Sequence, residues 1–353
     1  MMNPAELKAA FLAEAHAVGF DICRVASAEK PPHADEFREW LGEGKHGDMA
    51  WLARNADRRT DPDLVLPGAR SIIALGMNYW NRKPASEPQS KSGRIARYAW
   101  GDDYHDIIEP RLWQLDGWMQ KHGGRQRQYV DTGPVLERDF AALSGLGWQG
   151  KSTMLIHPKL GTWLFLASIL TTLDLPADGP MSDHCGKCTR CITACPTGAI
   201  TAPHKLDARL CISYLTIENK GPIPEPLRPL LGDRIYGCDD CLDACPWNRF
   251  AQESRESRFA ARDFVTMPLR DFLTLDDDAF RTLFRDSPIK RIKRVRFLRN
   301  VCVALGNVGT SEDLPALKAS AADPDPLIAE HAQWAIRQIN ARITSRVPTT
   351  DAA

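Results

Sequence analysis

The sequence predicts an α+β chain in three parts: a helix-and-strand domain over residues 1–178, a small cysteine-rich module over 179–250, and a helical tail over 251–345. Three observations carry this expectation. Apolar residues in the first half switch between helical spacing and short β-rich runs. Eight of the ten cysteines fall between Cys185 and Cys245. Beyond Ser287 the apolar positions recur at helical spacing in two blocks, the first of them closed by glycine.

A chain of 353 residues is long enough for two or three domains, each with its own core. Its 45 basic and 45 acidic residues cancel, so no global field recruits nucleic acid or membrane, and any such attraction must be local. The opening stretch MMNPAELKAAFLAEAHAVGF carries Glu6, Lys8 and Glu14 where a secretion signal requires an apolar run, and it reads as an amphipathic helix. The most apolar stretch, WLFLASIL from Trp163, is too short to cross a bilayer. A cytoplasmic protein without membrane contact is expected.

Further along, NRKPASEPQSKSG (Asn81 to Gly93) reads as a polar loop bordering a site. GPVLERDFAALSGL reads as a helix opening at Pro134, with Val135, Leu136, Phe140 and Leu143 at helical spacing. GLGWQGKS, Gly145 to Ser152, matches the phosphate-loop pattern G-x4-G-K-S/T. After it, TMLIHPKLGTWLFLASILTTL reads as a hairpin turning over His157–Gly161. A phosphate loop needs a strand before it and a helix after it. Here the order is helix, loop, strand, so nucleoside triphosphate binding is excluded.

The cysteines come next. Cys185, Cys188, Cys191 and Cys195, followed by Pro196, form a C-x2-C-x2-C-x3-C-P run. A structural zinc site would favour two separated ligand pairs. The observed run is instead the bacterial ferredoxin signature, in which three cysteines wrap one 4Fe–4S cubane and the fourth serves a second. YGCDDCLDACPWN supplies Cys238, Cys241 and Cys245, again followed by proline, and Cys211 is available to complete the set. Crossed ligation then assigns Cys185, Cys188, Cys191 and Cys245 to one cluster, and Cys195, Cys211, Cys238 and Cys241 to the other. Cys23 and Cys302 stand alone among apolar residues and read as core thiols. Two cubanes form a one-electron wire, so the rest of the chain must hold a second redox cofactor or a substrate site.

In the tail, SPIKRIKRVRFLRNVCVALGNVG places Ile292, Val295, Cys302 and Leu305 on one helical face, with Gly306 and Gly309 as stops. DPDPLIAEHAQWAIRQI repeats the spacing at Leu327, Ile328, Ala332, Ala335 and Ile339, so two helical hairpins of HEAT-like kind are expected. Lys290, Arg291, Lys293, Arg294, Arg296 and Arg299 place six cations within ten residues. By itself such a run is most simply a solvated helix face.

Three stretches occur in order with the two cysteine runs: MAWLARNADRRTDPDLVLPGARSIIAL from Met49, RYAWGDDYHDII from Arg97, and VDTGPVLERDFAALSGLGWQGKST from Val130. In these the chain resembles the epoxyqueuosine reductases along nearly its whole length. The resemblance implies a cobalamin-binding domain with a nitroreductase-like α/β core, a ferredoxin-like two-cluster module and a HEAT-like tail. It implies reduction of the epoxide of epoxyqueuosine at the tRNA wobble position to queuosine, the last step of that synthesis. Electrons would pass through both 4Fe–4S clusters to cobalamin, with two electrons and two protons taken up and water released.

The same resemblance assigns residues. Asp131, otherwise a plain turn aspartate, matches the proposed proton donor; a carboxyl with a raised pKa can protonate the departing oxygen. Lys151 and Ser152 in GWQGKST match the corrin-contacting segment, and Arg54, Leu155 and Ser213 match other cofactor-facing stretches. DYHDII at Asp103 ends in Ile108 where the histidine-on pattern D-x-H-x-x-G has glycine, in keeping with a base-off cobalamin that has no protein histidine ligand. His105 is then a packing or substrate-side residue. Beside a tRNA substrate, Lys290, Arg291, Lys293, Arg294 and Arg296 become candidate phosphate contacts. A flavodoxin or ferredoxin is the expected electron donor, and the chain is expected to act as a monomer.

Two other functions compete. A cobalamin–iron–sulfur reductase acting on a small molecule, such as a reductive dehalogenase, would use the same cofactors but has no need of a basic tail. A ferredoxin-like carrier with a nucleic-acid-binding tail explains the cysteines and cations, yet leaves VDTGPVLE and GWQGKST without a role.

Overall fold

The computed structural model describes residues 2–82 and 92–345, so most of the polar loop expected over 81–93 lies outside the described residues. The chain divides into two units. The first comprises residues 1–81, 102–208 and 240–259, the second 82–101, 209–239 and 260–353. The cysteine-rich stretch is thereby shared between them.

The first unit is built on a four-stranded sheet: β1 (Ile22–Ser27), β2 (Ser71–Asn78), β3 (Gln126–Tyr129) and β4 (Leu164–Thr171), in the spatial order β1-β2-β4-β3. Every pairing is antiparallel, with Ser27 opposite Ser71, Ser71 opposite Thr171, and Gln126 opposite Thr171. Strand β2 is buried along all its length, which explains why SIIALGMN reads as a continuous rather than an alternating apolar run. Three helices flank the sheet: α1 (Pro4–Ala17), α2 (Tyr104–Gln120) and α3 (Glu137–Leu143).

The helix expected at the N-terminus forms as α1, which buries Phe11 and Ala15. Asn3 caps it by accepting from the amides of Ala5 and Glu6, and the Glu6 carboxylate accepts in return from the Asn3 amide, all within 3.0 Å. Helix α3 covers one sheet face, where Phe140 joins Ile72 and Leu170, and Ala141 joins Ala74, Leu146 and Leu155. Met77 belongs to the opposite face, and its sulfur lies 3.5 Å from Nη1 of Arg111 on α2.

Two local expectations are corrected here. The helix expected from Pro134 opens only at Glu137, because residues 130–136 are held in an irregular loop described below. The hairpin survives only as its turn. His157 and Gly161 exchange backbone hydrogen bonds at 2.8 and 2.9 Å. Beyond them β4 runs between β2 and β3, while Leu155–Ile156 pairs with Trp148–Gln149. A strand as apolar as β4 buries more surface between two partners than beside one. The expected polarity around GLGWQGKS is upheld: α3 precedes it and a strand follows.

The second unit includes α4 (Ile212–Ile217) and, towards its end, α5 (Lys293–Val308), α6 (Leu314–Ala321) and α7 (Pro326–Thr344), with α5 and α6 both packed on α7. Gly309 caps α5 as expected, but Gly306 is no stop. The helix continues through it because a Cβ there would meet the Trp334 ring at 2.3 Å, so glycine is what lets α5 and α7 approach. Cys23 and Cys302 are buried core thiols, and burial pushes the Cys302 thiol up to about 12.

The basic segment is not one solvated helix face. Lys290 and Arg291 lie in a separate 3-10 turn, Pro288–Ile292, and Lys293 begins α5 with φ +61°. Arg299 is wholly buried. Its guanidinium donates to the carbonyls of Leu215, Asn219 and Gly221 and to Asn300 Oδ1 at 2.6–3.1 Å. Asn300 in turn donates to the carbonyls of Thr216 and Ile235 at 2.8 and 2.9 Å. These two side chains pin the backbone that follows Cys211 and precedes Cys238.

Candidate active site

Asp131 lies two residues beyond β3 in the left-handed region, φ +59°, which aspartate adopts more readily than most residues other than glycine. Gly133 allows the loop to fold back: a Cβ there would lie 2.2 Å from the Tyr129 ring. The Asp131 side chain is exposed at the tip of this loop, and its Oδ2 accepts a hydrogen bond from the Tyr104 hydroxyl at 2.7 Å. Tyr104 opens α2 and stacks on Phe165 at 4.4 Å and 12°, which fixes the direction of its hydroxyl.

Other titratable groups surround this pair. His105 Nδ1 lies 2.8 Å from Asp103 Oδ1, while its Nε2 is buried without a partner. Burial works against the imidazolium, but Asp103 and then Asp131 outweigh it and hold the histidine above its ordinary range. His105 is thus engaged with the Asp103 carboxylate. Glu137, at the start of α3, turns its carboxyl inward, where its Oε1 accepts from the Ser168 hydroxyl at 3.3 Å. Burial first, and the Asp131 charge second, push the Glu137 carboxyl up to about 8. Arg59 is the cation of the group, buried, donating from Nη1 to the Val135 carbonyl at 3.2 Å and leaving Nε without a partner.

The loop Gly145–Thr153 stands nearby in sequence and carries the expected corrin-contacting residues. A Cβ on Gly147 would lie 2.4 Å from the Ile156 carbonyl, so the loop can close on its partner strand only with glycine there. Ser152 is buried. Lys151 donates from Nζ to the carbonyls of Gly186 at 2.6 Å and Cys188 at 3.0 Å, which ties this loop to the first cysteine run and leaves one of its three donors. Leu155 packs into the core. Arg54 is exposed at the end of the short helix Ala50–Arg54, and Ser213 is half-buried in the first turn of α4. Gln149 Oε1 and Trp148 Nε1 are buried polar atoms without partners, unexpected from sequence.

Of the cysteines, Cys185, Cys188, Cys191 and Cys245 all belong to the first unit. Burial raises the Cys245 thiol, the Trp247 amide opposes it, and the charges of Cys185, Cys191 and Cys188 raise it further. The loop turns as a ferredoxin run does: the Cys185 carbonyl accepts from the Cys188 amide at 3.0 Å, and Asp183 Oδ1 accepts from the Cys185 amide at 2.7 Å. Trp148 crosses Trp247 edge-on at 4.9 Å beside them. Cys195 and Cys241 also belong to the first unit, Cys211 and Cys238 to the second. Among the described residues no group of three or more His, Cys, Asp or Glu side chains is gathered to hold a single metal ion.

The candidate phosphate contacts differ in freedom. Lys290 and Lys293 are exposed. Arg291 is exposed and paired with Glu218. Arg294 is tied to Asp323 at 2.8 Å and to the Leu275 carbonyl, and Arg296 donates to the carbonyls of Ile217 and Ile292. Among the described residues no helix is long and apolar enough to cross a membrane.

The family model for a 4Fe-4S double cluster binding domain matches residues 184–248. A second model, epoxyqueuosine reductase QueG, DUF1730, matches residues 59–132, ending just past Asp131. The epoxyqueuosine reductase of Xanthomonas campestris pv. campestris is 43% identical over 347 residues, covering 95% of this chain and 97% of that protein. That of Escherichia coli K12 is 40% identical over 327 residues, covering 91% and 86%. Among solved structures, an epoxyqueuosine reductase with a tRNA-Tyr epoxyqueuosine-modified stem loop superposes with a TM-score of 0.90 at 31% identity, over 96% of this chain and 91% of that one. A Bacillus subtilis epoxyqueuosine reductase, with its catalytic aspartate loop swung out of the active site, superposes at 0.87 and 28% identity over 99% and 96%. With likeness of this degree running along nearly its full length, the chain belongs to the epoxyqueuosine reductase family.

Proposed function

We propose that this protein reduces the epoxide of epoxyqueuosine in the wobble position of tRNA to queuosine, with Asp131 as the proton donor. One observation carries the reading beyond family membership. In a chain with a paired-cluster module, a carboxyl is presented at a loop tip with its second oxygen fixed by Tyr104. A small-molecule reductase gains no support from this whole-length likeness to enzymes of tRNA modification.

When bound, two 4Fe–4S clusters and cobalamin supply the two electrons of the reaction. The first cluster is assigned to Cys185, Cys188, Cys191 and Cys245, the second to Cys195, Cys211, Cys238 and Cys241. Cobalamin is assigned to the 1–178 domain, base-off. The buried, unpartnered oxygen of Gln149 suits the amide-bearing rim of a corrin, since it lacks a hydrogen bond that such a group provides. Ser152 and the remaining donor of Lys151 serve beside it, with Arg54, Leu155 and Ser213 as outer contacts. Tyr104 orients the Asp131 carboxyl, and Asp131 delivers a proton to the oxygen as the epoxide opens. A second proton then completes water. Lys290, Arg291, Lys293, Arg294 and Arg296 are assigned to the tRNA backbone, a small flavodoxin or ferredoxin to electron supply, and the cytoplasm to its place of action as a monomer.

The test is Asp131→Asn, which preserves shape and removes the proton. Cofactor spectra and tRNA affinity should stay, while turnover of an epoxyqueuosine stem loop falls by about a hundredfold or more, the usual loss of a general acid. Near-normal turnover would return Asp131 to a simple turn.

A further inference from the structure

The lysine of GLGWQGKS has a second task. Lys151 reaches the first cysteine run, where its Nζ donates to the carbonyls of Gly186 at 2.6 Å and Cys188 at 3.0 Å. One of these carbonyls lies between Cys185 and Cys188 in the run, and the other is that of Cys188 itself. The Lys151 backbone is held as well, since its carbonyl accepts from the His204 amide at 3.0 Å. A lysine fastened at both ends keeps its charge in one place, and among the described residues this ammonium makes no ion pair. Lys187 and Arg190, the cations within the run, are exposed to water, whereas Lys151 is half-buried. Trp148, buried in the same loop, meets His184 edge-on at 5.1 Å and Trp247 at 4.9 Å, which places aromatic surface rather than water beside the run.

The potential of a 4Fe–4S cluster depends on its net charge, on hydrogen bonding around its sulfurs and on its exposure. Each electron accepted adds a negative charge, so a fixed cation beside the ligand loop stabilises the reduced form over the oxidised one. The effect is greatest where water is kept away, because screening is weakest there. We propose that Lys151 is a redox-tuning residue: its ammonium, fastened to the Gly186 and Cys188 carbonyls, raises the reduction potential of the cluster assigned to Cys185, Cys188 and Cys191. Lys151 thereby sets how readily that cluster takes one electron from the small donor protein. No bond to Lys151 forms or breaks in that transfer, and its proton stays in place. The lysine that fits a phosphate-loop pattern by its letters thus compensates a different anion.

This inference rests on the assignment of the first cluster, and its test separates the two. Full-length, cofactor-loaded wild type, Lys151→Gln, Lys151→Met and Lys151→Arg are titrated anaerobically with dithionite, and the reduced clusters are followed by electron paramagnetic resonance. The reduction step lost in Cys185→Ala identifies the first cluster. In Lys151→Gln and Lys151→Met the one-electron equilibrium of that cluster should shift against reduction by about tenfold or more, a fall in potential of about 59 mV or more. The second cluster should keep its potential, and Lys151→Arg, which retains the charge, should stay near wild type. The potential is read on the clusters present, so partial loss of iron does not alter it. An unchanged first-cluster potential in both neutral variants overturns the proposal, as does an equal shift of both clusters. Failure of both neutral variants to assemble the first cluster also overturns it, because Lys151 is then a structural tie. If Cys185→Ala removes no reduction step, the cluster assignment itself falls, whatever Lys151 does.

Discussion

Replacing Arg299 with methionine should unfasten the stretch between Cys211 and Cys238. The side chain is fully buried and its guanidinium makes bonds to the carbonyls of Leu215, Asn219 and Gly221 and to Asn300 Oδ1. Charged hydrogen bonds of this kind contribute about 1.5–3 kcal/mol each, so four acceptors correspond to about 6–12 kcal/mol. Against this stands the cost of burying the charge. Burial, with Arg296 and Arg228 adding to it, draws the guanidinium from the usual 12.5 down to about 9, with no carboxylate among the causes to offset it. At about 1.36 kcal/mol per tenfold that cost is about 5 kcal/mol. The net loss in the methionine variant is therefore about 4 kcal/mol, and about half that in Arg299→Lys, which keeps the charge and up to three donors. Native-state hydrogen exchange reads this locally, because the Gly237 amide is bonded to Thr216 Oγ1 inside the same network. Exchange over residues 212–237 should quicken by about a thousandfold in Arg299→Met, and bound iron should fall toward half. Exchange within about tenfold of wild type would show that the carbonyls find other donors and that Arg299 holds nothing in place.

Cys245→Ala should diminish the cluster of Cys185, Cys188 and Cys191 and spare the other, as judged by iron content and the spectra of the remaining cluster; loss confined to the second cluster would refute crossed ligation. Changing Lys290, Arg291 and Lys293 together to glutamine should leave the spectra intact and weaken full-length tRNA several-fold at low salt. The salt dependence of binding should flatten by about one unit for each phosphate no longer neutralised. Adding Arg294→Gln should instead lower the melting temperature, because Arg294 is committed to Asp323 and the Leu275 carbonyl.

What the sequence determined by itself is whatever local spacing encodes. Cysteines two residues apart and closed by proline can wrap only a narrow range of objects, so the cluster module was legible before any fold. The N-terminal helix was legible for the same reason, since Asn3 and Glu6 cap a single turn. The wrong polarity of GLGWQGKS needed only the elements on either side. Asp131 is legible through the order of motifs around it, not through its own immediate neighbours.

Tertiary structure alone decided burial and non-local pairing. VDTGPVLE displays Glu137, yet nothing in those letters shows that its carboxyl turns inward to the Ser168 hydroxyl. The six cations after Ser287 look alike in sequence, but Arg299 and Arg296 spend themselves on backbone carbonyls while Lys290 and Lys293 face solvent. Gly306 reads as a helix stop and proves to be the gap that Trp334 fills. The hairpin at His157–Gly161 failed because β4 found partners at distant positions, Asn78 and Tyr129 among the residues it pairs with. The physical reason is common to all four. Spacing along the chain fixes direction and periodicity, whereas the charge state of a carboxyl, the freedom of an arginine and the partner of a strand depend on desolvation, and desolvation is set by residues far away in sequence.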